Sequence, residues 1–505
     1  MSLILHGARI RPRRSDHADA VLVVHDRITA VGTTADVIAA APAGARRLDL
    51  AGRVLTPGLQ DAHAHFFQMG VISRRASLAE CRSLEDFRDG VARALRERPG
   101  PEPLFLESWD ETAWDRPLVP TRELMDGLSA DRPILARRIC GHLAVVNTPG
   151  LALIRDLWPG GGIDADTGHL IEEPCLHLDV LLLPTAEEAQ RAFDEADRMA
   201  LSLGVTTSCD FLRPSALRRW GERINAGAER VRVNAFLLGE CFEEPELLEI
   251  GSERFVIRGL KIWSDGTIGG RTAAVREDWH DRPGERGGML VDPAAMTAAV
   301  AKAHGEGWAV AIHAIGDRAI DHALDSFAAL PRGESRSRGH RIEHAEMVGP
   351  DQWTRMRDLG VRPCVQPNFL QWANPGGLYE VALGRRRLEA MNPFRSLLAA
   401  GCQPFFGSDG MPPSPAFGLR HAVEHPVEAE RLTGDEALRL YTEAAAAGVP
   451  GHPVTGRIAP GEIADLAVFE DEPHRLPYPG SALLTILDGV VVHQGEGLER
   501  SASSC

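Results

Sequence analysis

Eight short runs of strand-forming residues alternate with helical stretches along most of this chain, and that alternation restricts the fold more than any other feature. The runs fall at about 54–65, 204–211, 231–238, 256–265, 308–315, 340–346, 361–366 and 402–409. Strands that alternate with helices favour a parallel sheet, because the chain needs a crossover to return to the same end. Eight such units predict an α/β fold, a (β/α)8 TIM barrel, with its chemistry at the C-terminal ends of the strands.

The two ends of the chain read differently. Short strands separated by turns are expected at Leu3–Ile10, Ala20–His25 and Arg27–Gly32, and again at Ala464–Phe469, Leu483–Leu487 and Gly489–His493. Such strands need partners for their edges, so residues 1–54 and 451–505 are expected to form one small composite β-sandwich domain. The barrel then occupies 55–450. Residues from about 80 to 185 are too many for a single βα connection and predict an insertion over the barrel mouth. The Ser-rich tail 501–504 is expected to fray.

A length of 505 residues suits one large barrel with a satellite. The formal charge of −16 argues against a nucleic-acid or anionic-membrane partner, since either requires a basic face, and leaves a small-molecule substrate as the expected ligand. No apolar run is long enough to span a bilayer, and Met1 to Arg14 places arginines after its apolar residues, the reverse of a secretory signal. A cytoplasmic location is expected, and a homodimer is compatible with the sequence. Eight cysteines without Cys-x-x-Cys spacing fit a reducing compartment and packed thiols.

Polar residues stand in or at the ends of several of the eight runs. His63 and His65 close the first, one residue apart, so on an extended segment both imidazoles would share a face. Alone, such a pair is more often surface or core histidines than a metal site. Lys261 lies between Leu260 and Ile262, where an ammonium is costly to bury, though a snorkelling lysine would avoid that cost. His313, His344 and Asp409 close the fifth, sixth and eighth runs. Imidazoles and carboxylates of this kind suit zinc or a similar divalent ion.

The order His-x-His, Lys, His, His, Asp resembles the amidohydrolase superfamily. Three segments resemble its YtcJ-like branch, amidohydrolase family 3, which includes N-substituted formamide deformylases: Gly-Leu-Lys-Ile-Trp-Ser-Asp-Gly-Thr-Ile-Gly-Gly-Arg-Thr-Ala (259–273), Ile-His-Ala-Ile-Gly-Asp-Arg-Ala (312–319) and Arg-Ile-Glu-His-Ala-Glu (341–346). The resemblance implies that His63, His65 and Asp409 hold one ion and that His313 and His344 hold a second. It also implies a carbamate on Lys261 between them. One ion or two remain open. The implied reaction is hydrolysis of a non-peptide C–N bond, an amide or N-formyl group of a small organic compound, by a metal-activated hydroxide, with Asp409 and Lys261 as catalytic residues and Asp409 as general base and acid. Lactone, ester or cyclic-imide hydrolysis or deamination on the same metals is the alternative. A non-catalytic metal-binding protein is a more remote one.

Further candidates lie near these segments. Trp109, Trp114 and Trp372 favour an apolar group on the substrate. His142 resembles a branch feature near the active site, with a structural histidine as the other reading. Arg271, Asp317 and Arg318 either bind substrate or brace loops. Glu346, two residues beyond His344, would share its face on a strand and support it from behind.

Overall fold

The computed structural model describes residues 2–12, 17–111, 114–139, 141, 143–171, 173–176, 178, 183–331, 338–449, 451 and 455–497. Eight strands form one parallel sheet: β1 (Leu59–Asp61), β2 (Val205–Leu212), β3 (Arg232–Leu238), β4 (Phe255–Trp263), β5 (Ala309–Ala314), β6 (Arg341–His344), β7 (Arg362–Val365) and β8 (Phe405–Phe406). Each pairs with the next in chain order. The Ala62 amide donates to the Phe406 carbonyl at 3.2 Å and bridges β8 back to β1, as the expected TIM barrel requires. Every residue of β2 and β3 is buried, because strands in such a barrel are covered on both faces.

Helices between the strands follow from local chemistry. Asp292 caps the helix Pro293–Gly305, its carboxylate accepting from the Ala294 and Ala295 amides, and Pro293 supplies a residue whose missing N–H is no loss in the first turn. The helix Asp317–Ala328 buries Ile320, Ala323, Leu324 and Phe327, one stripe at helical spacing.

Strands from both termini form the expected sandwich. One sheet runs Arg27–Gly32, Ala20–Val24, Ser2–His6, Arg46–Asp49; the other runs Arg9–Ile10, Val54–Pro57, Leu466–Phe469, Leu484–Leu487, Val490–Gln494. Leu3, Leu5, Val21 and Val23 from the first meet Leu55, Leu466, Val468 and Ile486 from the second in one apolar core. The run 54–65 is therefore not one strand. Val54–Pro57 pairs with Leu466–Phe469, and Leu59–Asp61 belongs to the barrel. Gly58 joins them where a β-carbon would stand 2.2 Å from Thr206 Oγ1, so only glycine lets the chain pass.

Sandwich and barrel belong to one compact unit, residues 1–67 and 196–505. Within it Arg232 on β3 is paired with Asp465 at 3.1 Å and with Asp488. Residues 68–195 form a second compact unit, wider than the insertion expected at 80–185. It has its own six-stranded sheet, ordered Ile163–Asp164, His169–Ile171, Leu143–Val146, Ile134–Arg138, Leu104–Trp109, Ala76–Ser77. Its helix Leu84–Glu97 is capped by Ser83 and buries Phe87, Val91 and Ala94. Among the described residues, Cys81, Cys209, Cys241, Cys364 and Cys402 are free and buried, Cys175 is buried too, and no helix is long and apolar enough to cross a membrane. Cys140, Cys505 and the 501–504 tail lie outside the described residues.

A bulge sets the register around Lys261. Ala235 pairs with Ile257 but Phe236 pairs with Gly259, leaving Arg258 as the extra residue. A β-carbon on Gly259 would lie 1.9 Å from the Ala309 carbonyl oxygen. Gly259→Ala should therefore push β4 and β5 apart and destabilise the chain by roughly 1–3 kcal/mol, read as a lower denaturant midpoint. An unchanged midpoint would show that the two strands are not in close contact there.

Candidate metal centre

The C-terminal ends of β1, β5, β6 and β8 gather the predicted histidines and Asp409. The His-x-His pair is not on a strand, contrary to expectation: β1 ends at Asp61, and the chain turns so that His65 has φ +53°. Asp61 fixes this turn by accepting from the Ser408 amide at 2.8 Å and the Ser408 hydroxyl at 2.5 Å. One residue on, the Asp409 amide donates to the His63 carbonyl at 2.6 Å. Gly407 permits the approach, since a β-carbon there would meet the His63 amide nitrogen at 2.5 Å.

The imidazoles form a row. Ring centroids are 5.3 Å apart for His65 and His63, 4.8 Å for His63 and His344, and 4.5 Å for His344 and His313. Asp409 Oδ1 lies 3.0 Å from His65 Nε2 and 3.3 Å from His63 Nε2, and the three donor atoms fall within 4.8 Å of one another. Lys261, third from the C-terminal end of β4, is buried with its Nζ 4.0 Å from the centre of the Phe211 ring, and that ring is 4.3 Å from His63.

Hydrogen bonds behind three of the rings decide which nitrogen faces the centre. His63 Nδ1 donates to Glu343 Oε2 at 2.6 Å, and His344 Nδ1 donates to Gln366 Oε1 at 2.7 Å. Gln366 is itself oriented by its amide nitrogen, which donates to the Cys364 carbonyl at 3.2 Å. Both bonds occupy Nδ1 and leave Nε2 as the nitrogen that faces the centre. His313 does the opposite, donating from Nε2 to the Gly266 carbonyl at 3.1 Å and keeping Nδ1.

Burial governs the charges. It lowers the His313 pKa to about 3, helped by repulsion from Lys261, and holds His344 well below the ordinary histidine value, helped by His313. Both are neutral, as ligands must be. Burial also lowers the Lys261 pKa to about 8. Asp409 loses hydration too, but attraction and hydrogen bonds from His63 and His65 outweigh that loss and keep it anionic. The donor set of four imidazoles and a carboxylate fits a divalent ion. Lys261 Nζ fits one too, since it has no hydrogen-bond partner, and a buried ammonium without an acceptor is unfavourable until its charge is removed or met by an anion.

Other expected site residues find different roles. Trp109 does not line a substrate site: it is fully buried in the core of the second unit, with its indole N–H donated to the Ala136 carbonyl at 2.9 Å. Trp114 packs in the same core. His142 lies outside the described residues. Arg271 is turned into its own loop, paired with Asp281 at 2.7 Å and donating to the Gly269 carbonyl at 2.8 Å. Asp317 accepts from the Arg276 amide at 2.7 Å, and Arg318 donates to the Gly287 carbonyl at 3.2 Å, so all three brace loops. Glu346 does not support His344; it accepts from Tyr379 Oη at 2.9 Å, and burial pushes its pKa up to about 8. The strand alternation behind that expectation ends at His344, where φ is +71°, followed by +49° at Ala345. The supporting residues missed by sequence reasoning are Glu343 and Gln366, because each acts on a histidine of another strand or loop. Their signal was only that a buried strand end carried an unexplained polar side chain.

Lys261 sets a pH dependence. Folding moves its pKa from 10.5 to about 8, so the folded state disfavours the ammonium. The cost is full below pH 8 and vanishes as the pH approaches 10.5. In chelator-treated protein, Lys261→Met should raise the thermal midpoint at neutral pH, and the gain should shrink across that window. A gain independent of pH would place its origin in packing instead.

The amidohydrolase family profile matches residues 46–493. The chain is 28% identical over 484 residues to YtcJ of Bacillus subtilis (strain 168), covering 88% of this chain and 90% of that one. It is 26% identical over 518 residues to an N-substituted formamide deformylase of Arthrobacter pascens, covering 93% and 94% of the two. A crystal structure described as an uncharacterized metal-dependent hydrolase from Pyrococcus furiosus matches with a TM-score of 0.81 at 27% identity, covering 94% of this chain and 100% of that one. With the barrel, the row of imidazoles and a profile that spans most of its length, the chain belongs to the amidohydrolase family.

Proposed function

We propose that the protein is a metal-dependent hydrolase that cleaves the C–N bond of a small amide or N-formyl compound. The observation that carries this reading is the convergence of four imidazoles and Asp409 around a buried lysine that has no hydrogen-bond partner. The deformylase relative supports the choice of bond. His63, His65 and Asp409 would hold one ion, His313 and His344 a second. Bound there, a divalent ion such as zinc would polarise the substrate carbonyl and lower the pKa of water.

The chain's own groups supply the rest. Lys261 Nζ, depressed to about 8, can lose its proton, form an N–C bond to the carbon of CO2 and release a second proton; the resulting carbamate would be an anion with two ligand oxygens in place of a buried cation. Asp409 is anionic and stands beside both histidines of the first pair. It takes the proton released as water adds to the carbonyl carbon and returns it to the nitrogen that departs when the C–N bond breaks. Phe369 stacks on His344 with centroids 5.8 Å apart and Trp372 follows at 5.1 Å from Phe369, an aromatic wall that suits an apolar substituent on the substrate. Of the tryptophans expected to serve that purpose, Trp372 is the one to which this reading gives the role.

Metal-analysed protein should hydrolyse members of a panel of simple amides and N-formyl amines, lose that turnover on chelation and regain it with zinc. A panel showing ester or lactone cleavage alone, or no metal in the purified protein, would overturn the reading. Asp409→Asn should lower turnover by about a hundredfold or more with a smaller change in KM, because the amide keeps the shape of the carboxylate but is no base at neutral pH. Turnover within a few-fold of wild type in a metal-loaded variant would assign the proton to another group.

A further inference from the structure

Below the row of imidazoles, the barrel interior holds an ion pair with no access to solvent. Arg341 and Glu343 stand two residues apart on β6, both fully buried. Arg341 Nη2 donates to Glu343 Oε2 at 3.0 Å, and its Nε donates to Glu343 Oε1. The same Nη2 donates to the Ala62 carbonyl at 2.7 Å, in the residue preceding His63. Glu343 Oε2 in turn accepts from His63 Nδ1. A single guanidinium thus fixes the backbone before His63 directly and the His63 ring through Glu343, across the barrel from β6 to the end of β1. Phe236 and Phe405 wall it in, with ring centres 4.8 and 5.3 Å from the guanidinium carbon.

Stability alone does not account for this arrangement. A buried ion pair generally contributes little net stability, and Arg341 Nη1 is left without a hydrogen-bond acceptor. Nor is the carboxylate free for a cation. His63, Glu343 and Cys364 bring donor atoms within 4.8 Å of one another, but Arg341 already occupies both Glu343 oxygens. What the pair does reach is the ring of a candidate ligand. An imidazole otherwise divides between two tautomers, and a carboxylate on Nδ1–H selects the one whose Nε2 lone pair points to the ion and makes it more basic.

We infer that Glu343 is the positioning residue that commits His63 to ligation through Nε2, and that Arg341 fixes Glu343 for that task, so an ion pair on β6 sets the metal affinity of a histidine beyond β1. This rests on the metal-centre reading of the site. It is tested with full-length protein stripped of metal and titrated with Co²⁺ against a competing chelator. Glu343→Gln should weaken binding about tenfold to a hundredfold and shift the visible Co²⁺ absorption bands, because the second nitrogen of a ligating histidine controls its orientation and basicity. Because Glu343→Gln leaves Arg341 buried without its counter-charge, the double variant Arg341→Met with Glu343→Gln separates stability from positioning. It should regain the thermal midpoint of the metal-free wild type while keeping the weakened affinity and altered spectrum. Wild-type affinity and spectrum in either variant, or an affinity that recovers together with the midpoint, would overturn the inference. Wild-type protein that takes up no Co²⁺ would overturn the metal-centre reading and this inference with it.

Discussion

Closure of the barrel between β8 and β1 is the constraint on which the site depends. The two strands are short, three residues and two, and the chain leaves each in a left-handed turn that carries a candidate ligand. The Ala62 to Phe406 and Asp409 to His63 hydrogen bonds close the seam, and Asp61 clamps Ser408 across it. Asp409 and the His-x-His pair thus approach one another because the barrel closes, and Gly407 is the residue without a side chain that lets it do so. In a sheet that stayed open, the first and last strands would lie at opposite edges.

Placing charge inside such a barrel is unfavourable, and the interior shows how that cost is met or left standing. Arg341 and Glu343 neutralise each other; burial works against the glutamate, but Arg341 and His63 outweigh it and hold its pKa well below the usual range. His313 and His344 avoid the cost by remaining neutral. Lys261 does neither. Its ammonium faces aromatic rings, and burial lowers its pKa to about 8. Asp265, deeper in the loop after β4, accepts from the Ala274, Ile315 and Gly316 amides and stands 3.5 Å from His313, joining the β4 loop to the end of β5.

The amino-acid sequence by itself determined the repeating βα pattern, the pairing of both termini in one sandwich, and the identity of the residues at the strand ends, because periodicity and polar endings are local properties of the chain. Lys261, His313 and His344 stand on β4, β5 and β6 as that pattern required. The tertiary structure alone decided that residues 54–65 divide between two sheets and that Trp109 belongs to a core. It also decided that Arg271, Asp317 and Arg318 brace loops, and that Glu343 rather than Glu346 stands behind a histidine. These depend on what lies across the fold: Glu343 meets His63 from 280 positions away, a distance over which no pattern of neighbouring residues carries information. Local spacing fixes which side chains are available, and only the closed barrel fixes which of them touch.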